Sequence, residues 1–116
     1  MKRGIVVKLR YSKVALRDLE QIDDYIAEEL KNPSAALNMV GKIQDAIDKL
    51  VAFPQMGAPL SIRYEGLDDY RYLICGHYLA FYRITEDVVF VDRILYGRRD
   101  YLKILFGELQ EENKQA

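Results

Sequence analysis

One cysteine and one histidine stand in the whole chain, Cys75 and His77. A lone thiol cannot close an internal disulfide, and this cysteine usage fits a reducing compartment. The two side chains lie two residues apart across a turn, short of the three or four ligands a metal needs. No glycine-rich phosphate loop of the P-loop or dinucleotide kind is present, so neither a metal nor another cofactor is expected. No apolar run approaches the roughly 18 residues of a membrane-spanning helix, and the N-terminal residues lack the apolar core of a signal peptide. The expected location is therefore the cytoplasm, with no membrane partner. An excess of charge is missing too: 17 basic against 18 acidic residues give a net charge of −1, with a pI near 5.8. Such a chain is not a bulk polycation, and any contact with nucleic acid has to come from a local patch.

What is there is the composition of a folded domain, 50% hydrophobic and 30% charged over 116 residues. That length supports one core, so residues 1–116 are expected to form a single domain. Residues Ile5 to Tyr11 alternate weakly and read as a half-buried first strand. Ser12 stands where a helix N-cap belongs. From Lys13 to Leu30, the positions Leu16, Leu19, Ile22, Ile26 and Leu30 step by three and four. They predict one stripe of an amphipathic helix, with Asp18, Glu20, Asp24, Glu28 and Lys31 mostly on its other side. Asn32-Pro33 marks a boundary, because proline disfavours helix before it and suits the first helical position after an Asn cap. A second helix is predicted from Pro33 to about Ala52, with Leu37, Val40, Ile43, Ile47 and Leu50 inward, and Phe53-Pro54 ends it. So short a link implies an antiparallel helical hairpin, which must bury its stripe on a sheet.

The sheet comes from Tyr70 to Tyr101. Three runs rich in Tyr, Phe, Val and Ile, at Tyr70–Cys75, Tyr78–Ile84 and Val88–Tyr96, suit a pleated, half-buried surface. Gly76-His77 and Thr85-Glu86-Asp87 are short polar links, so an antiparallel meander is predicted. Apolar character on both faces marks the third run as interior. Before the sheet, residues Gln55 to Asp69 read as loop, with a short extra strand at Ser61 to Tyr64. After it, a last helix is predicted from Tyr101 to Glu111, and the polar tail to Ala116 frays. The fold class is α+β, in the order β-α-α-β-β-β-α, with the hairpin on one face of a small twisted, mainly antiparallel sheet. The other face is expected to stay partly open, presenting Tyr, Leu and Phe to partners.

Six arginines, Arg63, Arg71, Arg83, Arg93, Arg98 and Arg99, crowd the second half of the chain. Arg71, Arg83 and Arg93 fall one per strand, and Arg98 and Arg99 follow Gly97 at the sheet's end. Arginines on a sheet face grip phosphates through forked hydrogen bonds and stabilise charge on a transferred phosphoryl group. Tyr72, Tyr82, Tyr96 and Tyr101 are able to stack on bases or to donate protons. A purely structural role weighs against this: arginines beside tyrosines commonly pack their stems and pair with carboxylates such as Asp92 and Asp100. His77 reads as an exposed turn residue, and Cys75 as a small apolar strand residue.

The stretches YSKVALRDLEQIDDYIAEEL, NPSAALNMVGKIQDAIDKLVAFPQMG and YRYLICGHYLAFYRITEDVVFVDRILYGRRDY, in this order, resemble the RelE/ParE superfamily of type II toxin–antitoxin toxins. The phrase FPQMG, the FYRI strand and the ILYGRRD ending carry the likeness, which spans about Ile5 to Phe106. The resemblance implies the fold derived above and a cognate antitoxin whose C-terminal segment wraps and neutralises the toxin. RelE-like members cleave mRNA on the ribosome with basic residues and a terminal Tyr or His, whereas ParE-like members poison DNA gyrase and lack that set.

Carried over residue by residue, the RelE-like third-strand arginine falls at Leu79, which cannot stabilise charge, and Arg83 compensates only if the strand is bulged. The paired lysines fall near Arg71 and Leu73, the arginine after the glycine matches Arg99, and the terminal tyrosine falls near Leu105, with Tyr101 as a substitute. The resemblance therefore points to a ParE-like toxin that binds a protein target, with Tyr72, Arg93, Tyr96, Arg98, Arg99 and Leu102 as the target- or antitoxin-binding set. The alternative is a RelE-like, metal-independent endoribonuclease acting on ribosome and mRNA with Arg71, Arg83, Arg99 and Tyr101, where Arg99 clamps phosphate. A third reading is an inactive member of the family. A homodimer is a further expectation when antitoxin is absent.

Overall fold

A computed structural model describes residues 7–60, 70–97 and 104. The strand expected at Ser61 to Tyr64, the tail, Arg98, Arg99, Tyr101, Leu102 and all of the last helix except Ile104 lie outside the described residues.

Strand β1 spans Lys8–Tyr11 and leads into helix α1, Lys13–Asp24, which continues as a π-helical turn over Tyr25–Glu29. Helix α2 spans Pro33–Asp48 and tightens into a 3₁₀ turn at Lys49–Val51. The strands β2 (Ala58–Pro59), β3 (Tyr70–Cys75), β4 (Tyr78–Thr85) and β5 (Val88–Tyr96) complete the order. Both predicted caps form: Ser12 Oγ accepts from the Ala15 amide at 2.9 Å, and Asn32 Oδ1 from the Ala35 amide at 3.1 Å. Each satisfies an amide that has no partner inside its own helix.

The five strands lie in the order β1-β5-β4-β3-β2. The meander of β3, β4 and β5 is antiparallel as expected, and β5 is interior, flanked by β4 and, in parallel, by β1. Two features differ from the sequence reading. Strand β4 runs on to Thr85, so the link to β5 is the pair Glu86-Asp87, with Glu86 at φ 52°. Ala58–Pro59, expected as loop, pairs with β3 opposite Tyr72 and Arg71. Proline is tolerated there because β2 is an edge strand whose outward side needs no donor.

The hairpin packs on one face. Leu19, Ile22, Ile26, Ile43, Ile47 and Leu50 meet Leu73, Ala80, Tyr82, Val89, Val91 and Ile94 in one buried cluster. Burying each large side chain in that cluster stabilises the fold by roughly 1.5–3 kcal/mol before conformational entropy is counted. The predicted stripes need correction at their flanks. Leu16, Leu30 and Leu37 are exposed, and Ala15 and Ala36 take inward positions instead. Leu30 is displaced by the π turn: its amide bonds to Tyr25 O, five residues back, and the extra residue advances the helix phase by about 100°.

The opposite face also departs from the expectation. Phe81 and Leu95 at its centre are buried and packed with Leu60, and Tyr70, Tyr72, Leu79 and Ile104 lie against that cluster. The centre of this face is therefore covered, because the chain folds its own Leu60 and Ile104 over it.

Candidate functional site

The end of α1, the π turn, the start of α2 and the far ends of β4 and β5 leave a groove of about 690 Å³ between them. Ile22, Tyr25, Ile26 and Leu30 form the wall contributed by the first helix, and Ala35 and Met39 that of the second. His77, Tyr78 and Tyr96 close the sheet end. The π turn makes this opening, because it widens the helix where a regular turn would have laid Leu30 against the core. Tyr25 and Leu30 are each more than half exposed.

Tyr78 and Tyr96 are direct partners across the β4–β5 ladder. Their rings meet edge to face, with centroids 5.7 Å apart and planes at 63°, an arrangement worth about 0.5–1.5 kcal/mol beyond burial. Burial pushes the Tyr78 phenol above its ordinary pKa, and the neighbouring Tyr96 and Tyr25 phenols add to the shift. At neutral pH this phenol stays protonated and keeps a hydroxyl to donate. An apolar floor ringed by phenols suits an amphipathic protein segment that brings aliphatic anchors and a few carbonyl acceptors. No metal-holding cluster of His, Cys, Asp and Glu occurs among the described residues. No helix of the described residues is long and apolar enough to cross a membrane.

The strand arginines are each held by acceptors of the chain itself, Arg93 by Asp18 on the wall of the groove and Arg71 and Arg83 away from it. Arg83 forks onto Asp92 with two bonds of 2.9 Å and lies over the rings of Tyr70 and Phe90, 5.6 and 5.2 Å from their centroids. The ladder slips between Phe81–Tyr82 of β4 and Val91–Arg93 of β5, leaving Asp92 as the extra residue. The bulge is thus on β5 and not on Arg83's strand, and it aims Asp92 at Arg83.

Arg93 forks onto Asp18 at 2.8 and 3.0 Å, and the same carboxylate accepts the Ile94 amide at 2.9 Å. The hydrogen bonds to Asp18 push the Arg93 guanidinium above its ordinary pKa, outweighing the opposing effect of burial. Asp18, expected on the solvent side, is only 6% exposed.

Arg71 donates to Gly57 O at 2.6 Å and to Gln55 O at 3.3 Å. Tyr82 joins it there, its hydroxyl donating to Pro54 O at 2.8 Å and accepting from the Gly57 amide at 2.9 Å. Burial pushes the Tyr82 phenol up, while the Gly57 bond and Arg71 pull the other way. A Cβ at Gly57 would come within 2.6 Å of both Tyr72 O and Tyr82 OH. The FPQMG phrase is therefore a loop stapled from both sides, and its glycine is needed for close approach.

Of the residues expected to bind target or antitoxin, Tyr96 lines the groove and Arg93 pairs with Asp18, which lines it too. Tyr72 packs on the opposite face. The expected set is not brought together among the described residues. Sequence reasoning missed Tyr25, Leu30, Met39 and Tyr78. Even the pairing of Tyr78 with Tyr96 was out of reach, because the turn sets Thr85 opposite Val88 and only the bulge at Asp92 shifts the ladder so that Tyr96, and not Leu95, faces Tyr78.

The comparisons agree on one group of proteins. The family described as ParE toxin of type II toxin-antitoxin system, parDE, matches residues 9–101. Y4kP of Sinorhizobium fredii, described as a candidate toxin, is 34% identical over 83 residues, covering 70% of this chain and 79% of that protein. Among solved structures, the fold is similar to the chromosomal ParDE TA system from P. aeruginosa, with a TM-score of 0.68 and 22% identity over 80% of this chain and 98% of that one. It is also similar to the toxin-antitoxin complex RelBE2 from Mycobacterium tuberculosis, with a TM-score of 0.55 and 20% identity over 83% and 97% of the two chains.

Proposed function

The chain belongs to the ParE toxin family of type II toxin–antitoxin systems, and from that premise we propose that it acts in the ParE-like manner, arresting growth by binding DNA gyrase in the cytoplasm. A cognate antitoxin holds it silent by laying an amphipathic segment into the groove between the π turn and the Tyr78–Tyr96 pair.

One observation carries this choice of target. Ribonucleolytic cleavage needs a base, an acid and a stabiliser of phosphoryl charge. Arg83 and Arg93 each spend their forks on a carboxylate of the fold, and Arg71 commits its Nη1 to the Gly57 and Gln55 carbonyls. Leu79 stands where the charge stabiliser of the nuclease pattern would be. A cleavage role for Arg71 and Arg83 would require them to leave the Gly57 carbonyl and the Asp92 carboxylate.

The experiment is to map transcript ends in cells that express the chain without its antitoxin. An uncut mRNA pool alongside growth arrest is the expected result. Codon-dependent cuts that vanish with Arg99→Ala would overturn the reading and restore the nuclease alternative.

A further inference from the structure

Leu37 is 74% exposed, more than any other large apolar side chain of the described residues. It stands on the outer side of the helical hairpin, away from the groove. There it lines a shallow depression with Gly41 and Val40 of α2 and Leu16 of α1. Gly41 is an open notch: a Cβ placed there would meet nothing within 4 Å. Leu37 and Gly41 are four residues apart, so they share one face of α2 with an axial offset of about 6 Å.

We propose that this face joins two copies of the chain, α2 against α2 in antiparallel orientation, with Leu37 of each copy seated over Gly41 of the other. A knob and a notch one turn apart on the same helix are self-complementary under a two-fold axis passing between them. Residue 37 then faces 41, and 41 faces 37, as an isologous contact requires. The missing side chain at Gly41 lets the helices approach, and ridges of one enter the grooves of the other.

The charges around the depression favour a second copy as occupant. Arg17, Glu20 and Asp23 of α1 line it together. A rim of mixed sign offers each copy's arginine the other's carboxylates, whereas a strongly acidic or strongly basic partner would meet like charge. Met39 and Ala35 turn to the other side of α2, into the groove assigned to antitoxin. Self-association and antitoxin binding therefore use opposite sides of one helix and do not compete. The contact is small, so the pair forms and dissociates with concentration.

Sedimentation velocity on the full chain tests the proposal. The mass is expected to rise with concentration from 13.5 kDa to twice that value. Leu37→Glu and Gly41→Leu should both hold it at the single-chain mass, with far-ultraviolet spectra that match the parent and a melting temperature unchanged in the first and raised in the second by the gain in helix propensity. A register test stands beside it. An oxidised mixture of Leu37→Cys and Gly41→Cys chains should give cross-linked dimers, and neither variant alone should do so; the native Cys75 is buried. A single-chain mass at every concentration would overturn the proposal. So would a dimer that survives Leu37→Glu, or cross-linking equally strong in the separate variants.

Discussion

Asp18 and Arg93, 75 residues apart in sequence, form a two-pronged ion pair that closes an open sheet edge. Strand β1 covers β5 only as far as Tyr11 opposite Val91. Beyond that point α1 takes over: the Ser12 amide and hydroxyl donate to Val91 O and Asp92 O, and Asp18 accepts from the Ile94 amide. The first two turns of α1 thus do the work of a missing strand, and they set the angle at which the helix meets the sheet.

Removing the Asp18 carboxylate leaves a half-buried guanidinium and a buried amide without acceptors. Asp18→Ala is expected to cost about 3–5 kcal/mol in urea unfolding. The double substitution Asp18→Ala with Arg93→Met should cost less than Asp18→Ala alone, because the orphaned cation is gone. Equal costs would mean that Arg93 contributes nothing to the effect of losing Asp18.

The stapled loop makes a second prediction. Tyr82→Phe removes one hydroxyl from between Pro54 O and the Gly57 amide, and is expected to cost about 1–3 kcal/mol. Gly57→Ala should cost more. Tyr82→Phe should not rescue Gly57→Ala, since the clash at 2.6 Å is also with a backbone atom, Tyr72 O. Thermal melting of the two single variants and the double variant reads the outcome.

The groove is tested by Leu30→Glu. Leu30 is 56% exposed, so its substitution should change folding stability by no more than about 0.5 kcal/mol. Titration calorimetry with the cognate antitoxin should show affinity falling at least tenfold, about 1.4 kcal/mol. Leu37→Glu, on the other side of the hairpin, is the control and should leave that affinity unchanged.

Alkaline pH should destabilise the fold earlier than an unperturbed protein. Burial pushes the Cys75 thiol up from 9.0 to about 11. Burial, then Asp48 and Cys75, push the Tyr11 phenol from 10.0 to about 12. Both pKa values are raised on folding, so the stability they protect is complete below pH 9 and is lost between about pH 9 and pH 12. For Cys75 the loss reaches roughly 2–3 kcal/mol. Urea midpoints should fall across this window, and less steeply in Cys75→Ala. The same burial predicts that a thiol reagent labels the native protein at pH 8 far more slowly than the unfolded chain.

Much of this fold was legible in the sequence because its signals are local. Ser12 and Asn32-Pro33 announce their helices through the chemistry of a cap, and Gly76-His77 announces its turn. Asp18 was not legible. A carboxylate on the flank of an amphipathic helix reads as solvated, and only the three-dimensional end of β1 creates the gap it fills. The π turn has no composition of its own, so Leu30 kept its place in a stripe that the backbone had already abandoned. Arg71 and Arg83 looked alike in the sequence, yet one holds a loop and the other a bulge. Asp92 was expected as a partner for a sheet arginine, but which arginine it takes, and the two carbonyls that hold Arg71, become visible only once the strands are aligned.

Binding as the mode of action is tested most sharply by gyrase supercoiling in vitro with purified chain, with and without the cognate antitoxin. Inhibited supercoiling or trapped cleavage complexes are expected, both reversed by antitoxin and both retained in Arg83→Ala. Full gyrase activity at every toxin concentration, with ribosome-dependent mRNA cleavage by the same preparation, would contradict it.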